Sequence, residues 1–188
     1  MRLLSRLNGY TAAQDPKVAT SNLIAMVLAW NTPFYPLYVQ VSAGASMASA
    51  AWFTAIAFPV FLAVPAVSRR HALASRVMLV VGATANTVFC TWLLGEASGT
   101  QLFLLPSIAL ALLLFHRTER ALMFAFTGLP ILVGLVLHGR YPASPVSCAG
   151  EACNGLLWLN IISVICLFAF FGLLVLRRLI STNKAALM

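Results

Sequence analysis

Long apolar stretches, broken by short polar or basic segments, run the whole length of the chain at the spacing of membrane-spanning helices. Asp15 followed by Pro16 predicts a helix start, with an acceptor at the cap and a pre-set φ at the first helical position. A first helix then runs to about Val41. It is interrupted at Asn31, Thr32, Pro33 and Pro36, because each proline removes a backbone donor. The small residues from Ser42 to Ser46 close a hairpin to a second helix, about Met47 to Val67, carrying Pro59 and Pro65. A third covers about Ser75 to Leu94. The fourth apolar run, Gln101 to Phe115, gives only about 22 Å at 1.5 Å per residue against a core of roughly 30 Å. Flanking polar residues must extend it, or the bundle must shelter it. A fifth helix spans about Arg120 to Leu137 and a sixth about Leu156 to Leu176. The fold class is therefore all-α, a polytopic membrane bundle of six transmembrane helices. Its domain plan is an N-terminal cytoplasmic or interfacial segment (1–17), a six-helix membrane domain (18–176) and a cytoplasmic tail or helix start (177–188).

Charge gives this pattern a direction. Eleven of the twelve Lys and Arg residues fall into four clusters: Arg2, Arg6 and Lys17; Arg69, Arg70 and Arg76; Arg117 and Arg120; Arg177, Arg178 and Lys184. Two apolar segments separate each cluster from the next, so the bases collect on one side, and both termini are read as cytoplasmic. Arg140 is the exception. Trp52, Trp92 and Trp158 fall at predicted outer helix ends, where indole prefers the interface. With 61% hydrophobic and 9% charged residues, and a mean hydropathy of +0.93, the composition lies outside the range of soluble domains. The net charge of +8 sits at span ends, which favours anionic lipid headgroups over nucleic acid as a partner. Arg2 and Arg6 lead into Asn8, Gly9, Gln14 and Asp15 instead of an apolar run, so no cleaved signal is expected and the first span acts as the anchor.

Candidate chemistry is sparse. Cys90 and Cys166 lie within spans, whereas Cys148 and Cys153 share an outer loop and are expected to form a disulfide in an oxidising exterior. A redox or metal role for that pair is weaker, since the spacing is not Cys-x-x-Cys and no histidine set is near. His71, His116 and His138 cannot clamp a haem or metal across one layer of the bundle, and Ser98 in its glycine-rich turn has no histidine at depth to act as base. Glu96 stands beside Trp92 and near Gln101 at the outer mouth. Asn31, Tyr35 and Tyr38 of the first helix, with Asn160 of the sixth, form a polar layer at similar depth. Such residues either hydrogen-bond between helices or line a pocket. No span holds an Asp, Glu, Lys or Arg near its middle, which lowers the weight of ion-coupled transport.

The run Gly95-Glu96-Ala97-Ser98-Gly99-Thr100-Gln101-Leu102-Phe103-Leu104-Leu105, followed by His116-Arg117-Thr118-Glu119-Arg120-Ala121, resembles the six-helix membrane domain of bacterial class III adenylate cyclases and related receptor histidine kinases. The resemblance implies a multi-pass receptor in the bacterial inner membrane. It further implies a homodimer whose sixth helix carries a signal past Arg177 and Arg178 to a cytoplasmic output domain or partner protein. The expected function is a sensory and anchoring domain that binds an apolar or amphipathic small ligand through Asn31, Tyr35, Tyr38, Trp92, Glu96, Gln101 and Asn160. A small transporter or channel, or a purely structural membrane anchor, is the alternative. No cofactor and no catalysis by the chain itself are expected.

Overall fold

The structure, a computed structural model, describes residues 9–186 except Ser147, without the side chains of Arg178 and of residues 181–186. Readings that rest on Arg2, Arg6, Met188 and the side chains of Arg178 and Lys184 lie outside the described residues. Among the described residues all regular structure is helical.

Helix α1 (Pro16–Asn31) begins where the Asp15 carboxylate accepts the Lys17 amide N–H at 2.7 Å. The interruption expected at Asn31 to Pro36 is present as a 3₁₀ turn (Thr32–Phe34), which ends α1 and leads into α2 (Tyr35–Ala43). Pro33 and Pro36 each occupy the first turn of their segment, where the missing N–H would have had no partner. Gly44, at φ 86°, turns the chain into α3 (Ala45–Ala51). A 3₁₀ stretch (Trp52–Ala57) connects it to α4 (Phe58–Ser68). Helix α5 (Ala72–Leu94) starts one turn earlier than the sequence suggests. Gly95 and Gly99, at φ 83° and 75°, bracket a turn (Glu96–Ser98) before the 3₁₀ segment Thr100–Phe103 and α6 (Leu104–Leu114).

That short segment is both lengthened and sheltered. Its 3₁₀ start and α-helix together reach roughly 25 Å, and Leu104, Pro106, Ser107, Leu110, Ala111 and Leu114 are buried. Helix α7 (Arg120–Leu137) has the bounds the sequence predicts, but it leans on α6 and leaves nearly all of its span unburied by the protein. Helix α8 (Gly150–Ala186) is longer than expected at both ends, and its 37 residues extend about 55 Å.

Four stretches are long and apolar enough to cross a membrane: Ala45–Ser68, Ala72–Leu94, Arg117–Leu137 and Gly150–Arg177. Thr100–Leu114 is apolar but shorter. Residues 16–43 do not join that set, because Asn22, Asn31, Thr32, Pro33, Pro36 and Gln40 dilute their apolar content.

The bundle has two distinct ends. At the basic end Lys17 Nζ donates to the Leu113 carbonyl at 2.6 Å, Arg69 lies over the Tyr10 ring, and Arg76 pairs with Glu119. At the other end Ser144 Oγ donates to the Leu93 carbonyl, the Gly139 N–H donates to Glu96, and Cys148 is joined to Cys153. Two apolar cores follow this division. One is built around Ile24, Phe61, Leu79, Leu110 and Phe171, and the other around Val39, Met47, Leu94 and Leu156.

Candidate functional site

Between the two cores lies a cavity of about 110 Å³. Helix α5 gives it a stripe at helical spacing, Ala83, Asn86, Thr87 and Cys90, and the fourth segment faces this with Thr100, Phe103, Ser107 and Leu110. Phe61 of α4 and Leu167 and Phe171 of α8 complete the apolar wall, while Asn31, Thr32 and Tyr35 come from the junction of α1 and α2. Most hydroxyls here are satisfied within their own helix. Thr32 donates to the Leu28 carbonyl at 2.8 Å, Thr87 to Ala83 at 2.9 Å and Ser107 to Phe103 at 2.9 Å. This back-bonding turns their methyl or methylene faces, not their donors, to the space.

Carboxamides are the exception. Asn86 accepts a weak bond from Cys90 Sγ at 3.7 Å, and among the described residues neither its amide nitrogen nor Asn31 has a protein partner. The cavity therefore combines apolar walls with the unspent amide of Asn86 and, at its exposed edge, that of Asn31, and its size is near the ~150 Å³ spaces that accept a benzene-sized guest. It is well below the ~300–1,000 Å³ of sites for larger ligands.

A buried hydrogen-bond chain closes the side toward the cysteine end. Tyr35 Oη donates to Asn160 Oδ1 at 3.0 Å, and Asn160 Nδ2 donates to the Ser98 carbonyl at 2.9 Å. The Ser98 and Thr100 hydroxyls lie 2.9 Å apart, and Thr100 donates to Thr91 at 3.2 Å. The polar layer expected from the sequence is thus split. Asn31 and Tyr35 line the cavity, and Asn160 holds Tyr35 from α8. Tyr38 is 45% exposed, Trp92 packs against the second core beside Phe89, and Glu96 accepts the Gly139 N–H at 2.9 Å with His138 at 3.8 Å. These three and Gln101 do not line the cavity. Asn86 and Phe171 were not singled out from the sequence; the one available signal was the spacing of the polar residues on the third helix.

Comparison with known families decides what kind of domain this is, since the model of the MASE7 family matches residues 8–187. The chain belongs to the MASE7 family. MASE domains are membrane-associated sensory domains found in cyclases and histidine kinases, in agreement with the resemblance read from the Glu96 and Glu119 segments. No curated protein and no solved structure matches the chain. Among the described residues of this MASE7 domain, no group of three or more His, Cys, Asp or Glu side chains could hold a metal ion.

The MASE7 chain has a second polar constellation at its basic end. Arg76, only 3% exposed, donates Nη1 to Glu119 Oε2 at 2.6 Å and Nη2 to Oε1 at 2.7 Å. The same guanidinium bonds the carbonyls of Ala72 and Leu114 and lies 5.6 Å from the Phe115 ring centroid. Glu119 also accepts the His116 N–H at 2.8 Å. Beside it, His116 Nε2 meets Asp15 Oδ2 at 3.0 Å, tying the start of α1 to the turn before α7. Burial would raise the Asp15 carboxyl, but the His116 hydrogen bond and the Lys17 amide outweigh it and hold the acid below its ordinary value. Arg76, read from the sequence as one base in a flanking cluster, is a structural clamp.

Proposed function

We propose that this MASE7 chain senses a small apolar or amphipathic molecule in its central cavity and reports it through the position of α8. The observation that supports the reading is the seat of Leu167 and Phe171, which wall the cavity while belonging to a helix that continues past Arg177. A guest that favours a wider cavity presses Phe171 away from Phe61 and Leu110, and it shifts α8 only as far as it binds the two arrangements unequally. Asn31 and Asn86 supply the hydrogen-bonding ends of the site, with Asn160 fixing Tyr35.

In the same proposal the chain crosses the inner membrane of a bacterium six times, with the basic end and both termini in the cytoplasm. Residues 18–176 form the sensor and 177–188 begin the link to a cyclase- or kinase-type output domain or a partner protein, in a homodimer. The Cys148–Cys153 loop faces outward in this arrangement.

The test uses the reconstituted chain with Cys166→Ser and a spin label at Leu179→Cys, exposed to probes from benzene to hexanol. The label should change mobility in the otherwise native chain and stay unchanged in Ala83→Phe, whose ring fills the cavity. No response to any probe, or solute flux through liposomes carrying the chain, would overturn the sensor reading.

A further inference from the structure

A second hollow opens on the outer face of the bundle between α5 and α7, with a volume of about 640 Å³. Val81, Val88 and Trp92 form one wall, Leu129 and Leu137 the other, and Tyr141 closes the end nearest the cysteine loop. Along α5 the distance from Val81 to Trp92 is about 16 Å at 1.5 Å per residue. That is half of a ~30 Å hydrocarbon core, the depth of one leaflet. The occupant must therefore be apolar, slender and one leaflet long.

A base stands in the turn at the head of the groove. Arg140, the single base outside the four clusters, is exposed in the turn between the lining residues Leu137 and Tyr141, its N–H bonded to the Leu137 carbonyl at 2.9 Å. Among the described residues it has no ion pair. The neighbouring acid, Glu96, accepts the Gly139 N–H at 2.9 Å and lies 3.8 Å from His138 Nδ1, with no ion pair to Arg140.

We propose that this groove binds one acyl chain of an anionic glycerophospholipid, with the phosphate at Arg140, as a resident lipid between α5 and α7. The site explains why α7, which leans on α6, has so little of its span buried, since the lipid supplies the packing on the α5 side that protein does not. It rests on the placement of the chain in a membrane and not on the cavity's role as a sensor site.

Trp92 in the wall is the reporter. With Trp30, Trp52 and Trp158, all exposed, changed to Phe, the chain is placed in phosphatidylcholine vesicles containing brominated phosphatidylglycerol or brominated phosphatidylcholine. Trp92 should be half-quenched at an about fivefold lower mole fraction of the anionic lipid, the worth of one basic contact near the surface. Arg140→Gln, in an exposed turn, should remove that preference, and Ala85→Phe in the groove wall should weaken quenching by both lipids, with helicity by circular dichroism unchanged. Equal quenching by the two headgroups in the otherwise native chain would mean passing annular lipid and would overturn the proposal. Protection of Trp92 from both lipids together with cross-linking of copies would overturn it in favour of a second copy.

Discussion

Arg76 and Glu119 are joined through both guanidinium prongs, although one lies on α5 and the other in the turn leading to α7. The pair holds two elements that otherwise meet little, and it sets aside a charge that the membrane would not tolerate alone. Removing one partner should cost about 3 kcal/mol by leaving the other uncompensated. Glu119→Gln and Arg76→Met are each expected to unfold at lower denaturant in an SDS titration of reconstituted protein. Arg76→Met with Glu119→Leu should recover much of the loss, and a double variant worse than either single would contradict this account.

The bonds from Tyr35 to Asn160 and on to the Ser98 carbonyl span α2, α8 and the turn after α5. Asn160→Leu should destabilise by about 1–2 kcal/mol, because it orphans a buried hydroxyl and a buried carbonyl together. Tyr35→Phe removes only the donor and should cost less. The comparison is read from thermal melts by circular dichroism.

Gly155 of α8 crosses α2 so closely that a Cβ there would overlap the Ser42 carbonyl oxygen. Gly155→Ala must push the two helices apart and should cost roughly 1–3 kcal/mol. Gly172, on the same helix with nothing near its Cβ position, should accept alanine with no loss or a small gain from helix propensity. Folded yield after detergent extraction distinguishes the two.

The Asp15 carboxyl is held below its ordinary value of 3.8, so its contribution is complete above that value and is lost as pH falls through the lower folded value. Asp15→Asn keeps an acceptor at the cap but no charge for His116. At about pH 6 it should melt below the native chain, and the gap should close as the pH drops below about 4. A gap that is constant across that range would show that the cap alone matters.

Much of the helical plan was legible because its signals are local. Asp15-Pro16 marks a start, Gly44 and Gly95 mark turns, and the bases from Lys17 to Arg120 gather at one end as their spacing suggests. The cavity was less so. Asn31 and Tyr35 stood out as polar residues in apolar surroundings, but Asn86 and Cys90 matter only because Ala83 and Thr87 share their face of α5 and leave room. The Arg76–Glu119 bond links positions 43 residues apart, and no local pattern specifies such a partner. By contrast, Pro33 and Pro36 mark the interruption between α1 and α2, each in the first turn of its segment, where a proline costs no hydrogen bond.

In the proposed sensor the tight crossing at Gly155 would also be the fulcrum. Phe171 lies about 24 Å along α8 from that point and Ala186 about 46 Å. A stiff rod pinned there moves its far tip nearly twice as far as it moves at the cavity wall. In the proposed sensor a 1 Å push on Phe171 would therefore reach the cytoplasm-proximal end as roughly 2 Å, and alanine at Gly155 would shift the pivot as well as loosen it.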